Sequence, residues 1–181
     1  MRKVILDVAV SLDGFIEGPN GEYDWCFMDQ DYGFTDFMNR IDSIFYGRKS
    51  WELFGNFTPT DKSPEMEVKF FKMAESKTKY VFSKTLDKAE GAILIKENVE
   101  EEVNKIKKQP GKDIYLFGGA SLTTSFVNAD LIDEYLLAVH PIILGSGKPL
   151  FIDIKVRKNL KLIDTKTYSS GLVMLNYEKG K

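Results

Sequence analysis

Three short stretches carry glycine, hydroxyl or basic residues where an apolar run gives way to a turn. They are Tyr46-Gly47-Arg48-Lys49-Ser50-Trp51-Glu52, Phe117-Gly118-Gly119-Ala120-Ser121-Leu122 and Phe82-Ser83-Lys84-Thr85. Glycine lets a backbone approach a ligand closely, and the free N–H groups at a helix start attract an anion. Cations at a helix start are unfavourable for the helix itself. Arg48 and Lys49 in that place therefore argue for a bound phosphate over a merely solvated turn. The Gly118-Gly119 pair suits either a pyrophosphate resting on backbone amides or a tight turn with positive φ. Ser83 and Lys84 read as a polar loop when taken alone, and as a phosphate contact when grouped with Arg48 and Lys49.

Few residues are suited to proton transfer. Asp29, Asp31 and Asp36 lie at the opening of a helical pattern, and Asp13 lies in the turn Ser11-Leu12-Asp13-Gly14. Asp31 serves equally well as a helix cap, and Asp13 as a turn stabiliser. His140 ends an apolar run and reads as a packing residue. Cys26 has no basic neighbour in the chain to lower its pKa and reads as an ordinary thiol. One cysteine and one histidine exclude an intramolecular disulfide and a His/Cys metal centre, so no metal site is expected.

The elements that must position these groups alternate. Val4 to Val10 is a nearly continuous apolar run, as in a strand covered on both faces. Ser43 to Tyr46, Tyr80 to Phe82, Ala92 to Ile95, Ile114 to Phe117 and Ile132 to Val139 read as further strands. Helical spacing runs from Asp31 to Arg40, from Ser50 to Phe54, after Ser63-Pro64 (Ser as cap, Pro in the first turn), from Asn98 to Lys108 and from Ser121. Phe15 to Gln30 shows no clear period and reads as a long loop, and Pro141 to Phe151 as a connection punctuated by Gly and Pro. Leu160 to Tyr168 and Leu172 to Tyr177 alternate around Ser169-Ser170-Gly171, the pattern of an antiparallel hairpin. Strands alternating with helices imply an α/β fold with a mainly parallel sheet, made mixed by the hairpin. No repeat, low-complexity tract or linker interrupts the 181 residues, so a single domain over 1–181 is expected.

Composition narrows the function classes. Basic and acidic residues, 25 and 27, are interspersed to a net charge of −2. No basic stripe suits a nucleic-acid backbone. The cluster at Lys105, Lys107 and Lys108 ends a helical pattern, where it complements the helix dipole. No apolar run nears the roughly 18 residues of a membrane span, and the first residues lack signal-peptide organisation. Neither nucleic acid nor membrane is expected as a partner, and the cytoplasm is the expected location.

The three glycine- and cation-bearing strand ends, in this order on this strand pattern, resemble the dihydrofolate-reductase fold over nearly the whole chain. Ser11-Leu12-Asp13-Gly14-Phe15-Ile16 and Pro141-Ile142-Ile143-Leu144-Gly145-Ser146-Gly147 are similar to the reductase domain of bifunctional riboflavin-biosynthesis deaminase/reductases and its stand-alone bacterial relatives. The resemblance implies NADPH as hydride donor. It implies that Gly47, Arg48, Lys49 and Ser50 hold the adenosine phosphate side and that Ser83 and Lys84 lie near the 2′-phosphate. Gly118, Gly119, Ala120, Ser121 and Leu122 would then cradle the pyrophosphate, with Ala9 and Ile16 bordering the nicotinamide. Asp31 takes the place of the folate reductases' buried acid, with Asp29, Asp36 and Asp13 as alternatives. The Leu-Pro that precedes that acid in folate reductases is replaced by Asp29-Gln30. Trp25 resembles a substrate-loop tryptophan, and Asp13 is a candidate contact to a substrate ribose. The family implies a homodimer, for which the apolar, Gly-rich segment Pro141 to Phe151 is the candidate surface. Three functions remain open: an NADPH-dependent reductase of a small pterin-, pyrimidine- or sugar-derived substrate, the riboflavin-pathway reductase itself, and a non-catalytic nucleotide-binding module.

Overall fold

The computed structural model describes residues 1–55 and 58–180. They fall into two compact units, each assembled from separated stretches of chain. The first holds residues 1–3 and 28–119, the second residues 4–27 and 120–181.

The first unit is built on parallel strands. In chain order it contains helix α1 (Phe34–Arg40), strand β3 (Ile41–Gly47), the short α2 (Arg48–Ser50) running into a π-helical turn (Trp51–Gly55), and α3 (Glu65–Glu75). Strands β4 (Thr78–Phe82) and β5 (Ile93–Ile95), helix α4 (Val99–Lys108) and strand β6 (Asp113–Gly118) follow. Pairing runs β5-β4-β3-β6, all parallel. Ile41, Ile44, Phe45, Tyr46, Val81, Ile114 and Leu116 are buried on these strands, the continuous apolar pattern of a sheet covered on both faces. Helix α4 carries Glu100, Glu101 and Glu102 in its first turn and Lys105, Lys107 and Lys108 in its last, matching the helix dipole. Val103 and Ile106 are its buried stripe.

The second unit contains β1 (Val4–Ser11), β2 (Phe15–Glu17), helix α5 (Ala120–Asn128), β7 (Glu134–His140), β8 (Lys148–Pro149), β9 (Leu160–Thr167) and β10 (Val173–Lys179). Here β1 pairs parallel with β7, β7 antiparallel with β10, and β10 antiparallel with β9. The expected hairpin is β9–β10, closed by Tyr168 and Leu172 around Gly171, whose φ is 88°. Val4, Ile5, Leu6, Phe126, Ile132 and Leu172 are buried in this unit. The α/β class, the mainly parallel pairing and the antiparallel C-terminal hairpin all agree with the sequence reading.

Local differences have local causes. The stretch read as one long loop contains β2, paired antiparallel with β8 inside the expected Gly/Pro connection; two and three residues are too few to show a period. Helix α1 starts at Phe34 rather than Asp31 because Tyr32 and Gly33 adopt positive φ. Ser63 does not cap α3; its hydroxyl accepts a hydrogen bond from the Thr60 amide at 3.1 Å, and Pro64 precedes the helix. Strand β7 starts at Glu134, since the Asp133 carboxylate accepts the Val4 amide and the Asp133 amide donates to the Val4 carbonyl, both at 2.8 Å.

Candidate active-site residues

In the first unit the carboxyl ends of three adjacent parallel strands line up. Gly47 of β3 pairs with Phe82 of β4, and Tyr46 with Gly118 of β6. All three turns, each carrying glycine or a cation, therefore leave one edge, where open α/β sheets bind ligands. The Ser50 hydroxyl donates to the Gly118 carbonyl at 2.8 Å, tying the turn after β3 to the turn after β6. Gly118 and Gly119 have φ of 81° and 98°. A Cβ at Gly119 would stand 3.0 Å from the Ser50 oxygen, so a side chain there would crowd the space above the turn. Arg48 and Lys49 are exposed; Arg48 pairs with Glu52 at 3.2 Å, a solvated contact of small energy. Lys49 and Lys84 have no ion pair among the described residues. The Ser83 hydroxyl accepts from the amides of Thr85 and Leu86 at 3.2 and 3.1 Å, shaping the turn that presents Lys84. Bare amides, small residues and unpaired cations on one sheet edge fit the phosphates of a dinucleotide. Ala120, Ser121 and Leu122, the remaining members of the glycine turn, open α5 of the second unit. Ala120 and Leu122 are buried there and Ser121 is exposed.

A cavity of about 710 Å³ in the first unit is lined by Tyr46, Phe54, Phe71, Lys72, Glu75 and Lys79 among others. Apart from Tyr46, none of its lining residues belongs to the turns singled out from the sequence, and none is a candidate acid or cofactor-binding residue.

Asp31, also in the first unit, is a committed carboxylate. Partial desolvation raises its pKa, but hydrogen bonds from Lys69 and Thr35 outweigh that effect and hold it at about 2. Lys69 Nζ lies 2.5 Å from one carboxylate oxygen, and the Thr35 amide donates to the other at 3.0 Å. This is a stabilised first turn of α1, and a group so bound holds no proton to give near neutral pH. Lys69, the residue that decides this, was not singled out from the sequence, and no local signal marks a partner 38 residues away. Asp29 accepts the Tyr32 hydroxyl at 2.7 Å on the surface, and Asp36 is exposed in the first turn of α1.

In the second unit Asp13 is taken up by a neighbouring hydroxyl and two distant amides. Its carboxylate accepts the Ser11 hydroxyl at 2.7 Å and the amides of Leu144 and Gly145 at 3.1 and 2.7 Å, and these bonds lower its pKa. Thus the two family-like motifs, Ser11 to Ile16 and Pro141 to Gly147, are fastened to each other. Cys26 is half-buried, and burial together with the Asp24 charge pushes its thiol up to about 12, which leaves it inert as a nucleophile.

His140 has a definite task here. Its Nε2 accepts the Phe27 amide at 3.0 Å while Nδ1 lies 2.9 Å from the Ala138 carbonyl, which fixes a neutral ring with the proton on Nδ1. Burial lowers its pKa further and outweighs the opposing Ala138 contact. Trp25 packs edge-on against the same ring, with centroids 5.3 Å apart. The indole Nε1 is buried without a hydrogen-bond partner, one of two such side-chain atoms among the described residues.

Below this loop lies a group that the sequence reading passed over. Asp7 interrupts the apolar run of β1, and its register partner on β7 is Leu136. It is half-buried and has no hydrogen bond or ion pair among the described residues. Desolvation raises its pKa to about 7. Alternation along the paired strands puts Asp7, Ala9 and Ser11 on one face with Leu136, Ala138 and His140. Ala9 and Ala138 are register partners, both half-buried. Ile16 is half-buried on β2 of the same unit. A lone acid inside an apolar strand was the available signal for Asp7.

A model of the family described as the RibD C-terminal domain matches residues 2–174. The chain is 58% identical over 177 residues to the uncharacterized protein YyaP of Bacillus subtilis, covering 97% of this chain and 94% of that one. Among solved structures, a putative riboflavin biosynthesis protein from Shewanella sp. PV-4 superposes with a TM-score of 0.81 at 24% identity, over the whole of both chains. A diaminohydroxyphosphoribosylaminopyrimidine deaminase/5-amino-6-(5-phosphoribosylamino)uracil reductase from Thermotoga maritima superposes with a TM-score of 0.72 at 17% identity. That match covers 99% of this chain and 57% of the Thermotoga chain. These likenesses establish the dihydrofolate-reductase-like fold.

Proposed function

Because this chain belongs to the family of the RibD C-terminal domain, we propose that it is an NADPH-dependent reductase. It transfers a hydride to a small pterin-, pyrimidine- or sugar-derived acceptor as a single catalytic domain over 1–181. The observation that carries this reading is the alignment of Gly47, Gly118-Gly119 and Ser83-Lys84 on one sheet edge, locked by the Ser50–Gly118 hydrogen bond. Gly47, Arg48, Lys49 and Ser50 hold the adenosine phosphate side, and Ser83 with Lys84 the 2′-phosphate. Gly118, Gly119, Ala120, Ser121 and Leu122 hold the pyrophosphate. Ala9 and Ile16 border the nicotinamide, and Trp25 faces the acceptor. When bound, the reduced nicotinamide supplies a hydride from its ring; the task of these residues is to fix its distance and angle to the acceptor.

A more specific second reading is the riboflavin-pathway reductase acting on a ribosylamino-pyrimidine phosphate. The family match and the substrate named for the Thermotoga relative favour it. Loss of chemistry with retention of nucleotide binding is the alternative that turnover would exclude.

The deciding experiment is titration with NADPH and NADH, following Trp25 and Trp51 fluorescence with calorimetry as control. NADPH should bind at least tenfold more tightly than NADH, because Arg48, Lys49 and Lys84 have a 2′-phosphate to contact in only one of them. Binding of neither nucleotide overturns the reductase reading.

The working form is a cytoplasmic homodimer. Supporting this, the second unit exposes Ile143, Phe151, Val156, Leu162 and Ile163, and β9 has one neighbour, β10, with its eight residues all exposed. An uncovered apolar edge strand invites a second chain. Sedimentation at micromolar concentration should give the mass of two chains; a monomer refutes this arrangement.

A further inference from the structure

Two observations on one face of the second unit are not used by the phosphate-binding residues. Asp7 stands on β1, paired with β7, and its carboxyl has no hydrogen bond or ion pair among the described residues. Ala9 and Ala138, side by side next along the strands, carry only methyl groups and are half-buried although both lie on paired strands. Beyond them His140 anchors Trp25, whose Nε1 donor is buried and unpaired. A buried N–H without an acceptor is destabilising, and buried polar groups are nearly always satisfied. The face thus offers a flat floor of two methyl groups, with an acid about 7 Å along β1 at one end and an unused donor at the other. Such a surface suits a flat, polar, unsaturated acceptor.

We propose that Asp7 is the proton donor of this acceptor site, giving its carboxyl proton to the nitrogen or oxygen of a substrate C=N or C=O bond as the adjoining carbon receives hydride. The proposal rests on the reductase reading above. The Asp7 O–H bond breaks and an N–H or O–H bond forms on the substrate. The π electrons of the double bond move onto the heteroatom that is protonated. The substrate gains two electrons from the reduced nicotinamide, and water re-protonates the Asp7 carboxylate. A donor that works near neutral pH must still hold its proton there, and desolvation on β1 provides that condition. Asp31, bound by Lys69 and Thr35, lacks it.

Other ionisable groups on this face are occupied. Glu134 of β7 is buried and accepts from Asn176 of β10 at 3.3 Å. His140 is neutral and spends both ring nitrogens on the backbone. The adjoining loop adds Asp24 and Cys26, and the thiol stays protonated.

The test pairs Asp7→Asn, which keeps the shape and removes the acid, with wild type. NADPH affinity should agree within about twofold. Turnover of the phosphoribosylaminouracil acceptor should fall at least a hundredfold, in the range of lost acid–base catalysis. The wild-type rate should decline above about pH 7 as the carboxyl ionises, and this limb should vanish from the residual activity of the variant. A carbon-13 titration of the Asp7 carboxyl, assigned by the variant, gives a readout independent of any substrate. Its midpoint should lie between 6 and 8, and one below 5 overturns the proposal. Equal turnover and pH profile in the two proteins overturns the Asp7 role while leaving the reductase reading intact. Wild type that binds no NADPH ends the reductase reading and the Asp7 role with it. Wild type that binds NADPH without reducing this acceptor overturns the riboflavin-pathway reading, and the carbon-13 midpoint then decides the Asp7 proposal.

Discussion

Asp31 and Asp7 are the same side chain in opposite surroundings. Asp31 sits at the start of α1 with a lysine, a hydroxyl and an amide converging on it, and its pKa falls to about 2. Asp7 sits on β1 with no hydrogen bond or ion pair among the described residues, and its pKa rises to about 7. Two competing effects decide both cases. Desolvation penalises the charged form, and hydrogen bonds or opposite charges restore it. At Asp31 the restoring contacts win; at Asp7 there are none. The first carboxylate therefore contributes to stability and the second costs stability, which is how residues retained for chemistry often behave.

The largest expected contrast is in turnover. Against the hundredfold loss expected for Asp7→Asn, Asp31→Asn should lower kcat by less than about threefold, since removing a carboxylate that holds no proton costs no acid catalysis. A hundredfold loss in Asp31→Asn, measured as initial rates of NADPH oxidation, would break the comparison and return the acid's role to α1.

Smaller, and opposite in sign, are the effects on stability. A folded-state pKa raised to about 7 means that Asp7 costs stability progressively as pH rises from about 4 to 7, and fully above that. Thermal melts at pH 8 should show Asp7→Asn more stable by about 4–8 °C, corresponding to on the order of 2 kcal/mol in a chain of this size. Near pH 4 the gain should disappear. Asp31, with a lowered pKa, contributes stability that is present above about pH 4 and is lost as pH falls towards 2. Asp31→Asn should therefore melt about 2–4 °C lower at pH 7, the effect of losing a helix-start bond and a half-exposed ion pair. At pH 2 the difference should close. If both variants shift in the same direction at pH 8, desolvation does not dominate at Asp7.

Local pattern carried much of this protein. The apolar runs of β1, β3, β4 and β6 and the 3.6-residue spacing of α4 each bury a face by short-range rules, and the alternation of β9 and β10 marked the hairpin without sorting its residues into a buried and an exposed face. The glycine- and cation-bearing turns were visible because close backbone approach needs glycine and phosphate needs donors. Partnership across long separations was hidden. Lys69 meets Asp31 across 38 residues and His140 meets Phe27 across 113, and no periodicity encodes either pair. The β2–β8 pair was missed because so few residues show no alternation.

The sequence by itself determined which segments become strands, which turns are able to accept phosphate, and that an acid stands at position 7. Only the tertiary structure decided what each carboxyl is. A pKa is set by the groups and the solvent within a few ångströms, and folding brings those groups together from distant parts of the chain. By that rule Asp31 acquired its cation, Asp13 its two amides, and Asp7 neither.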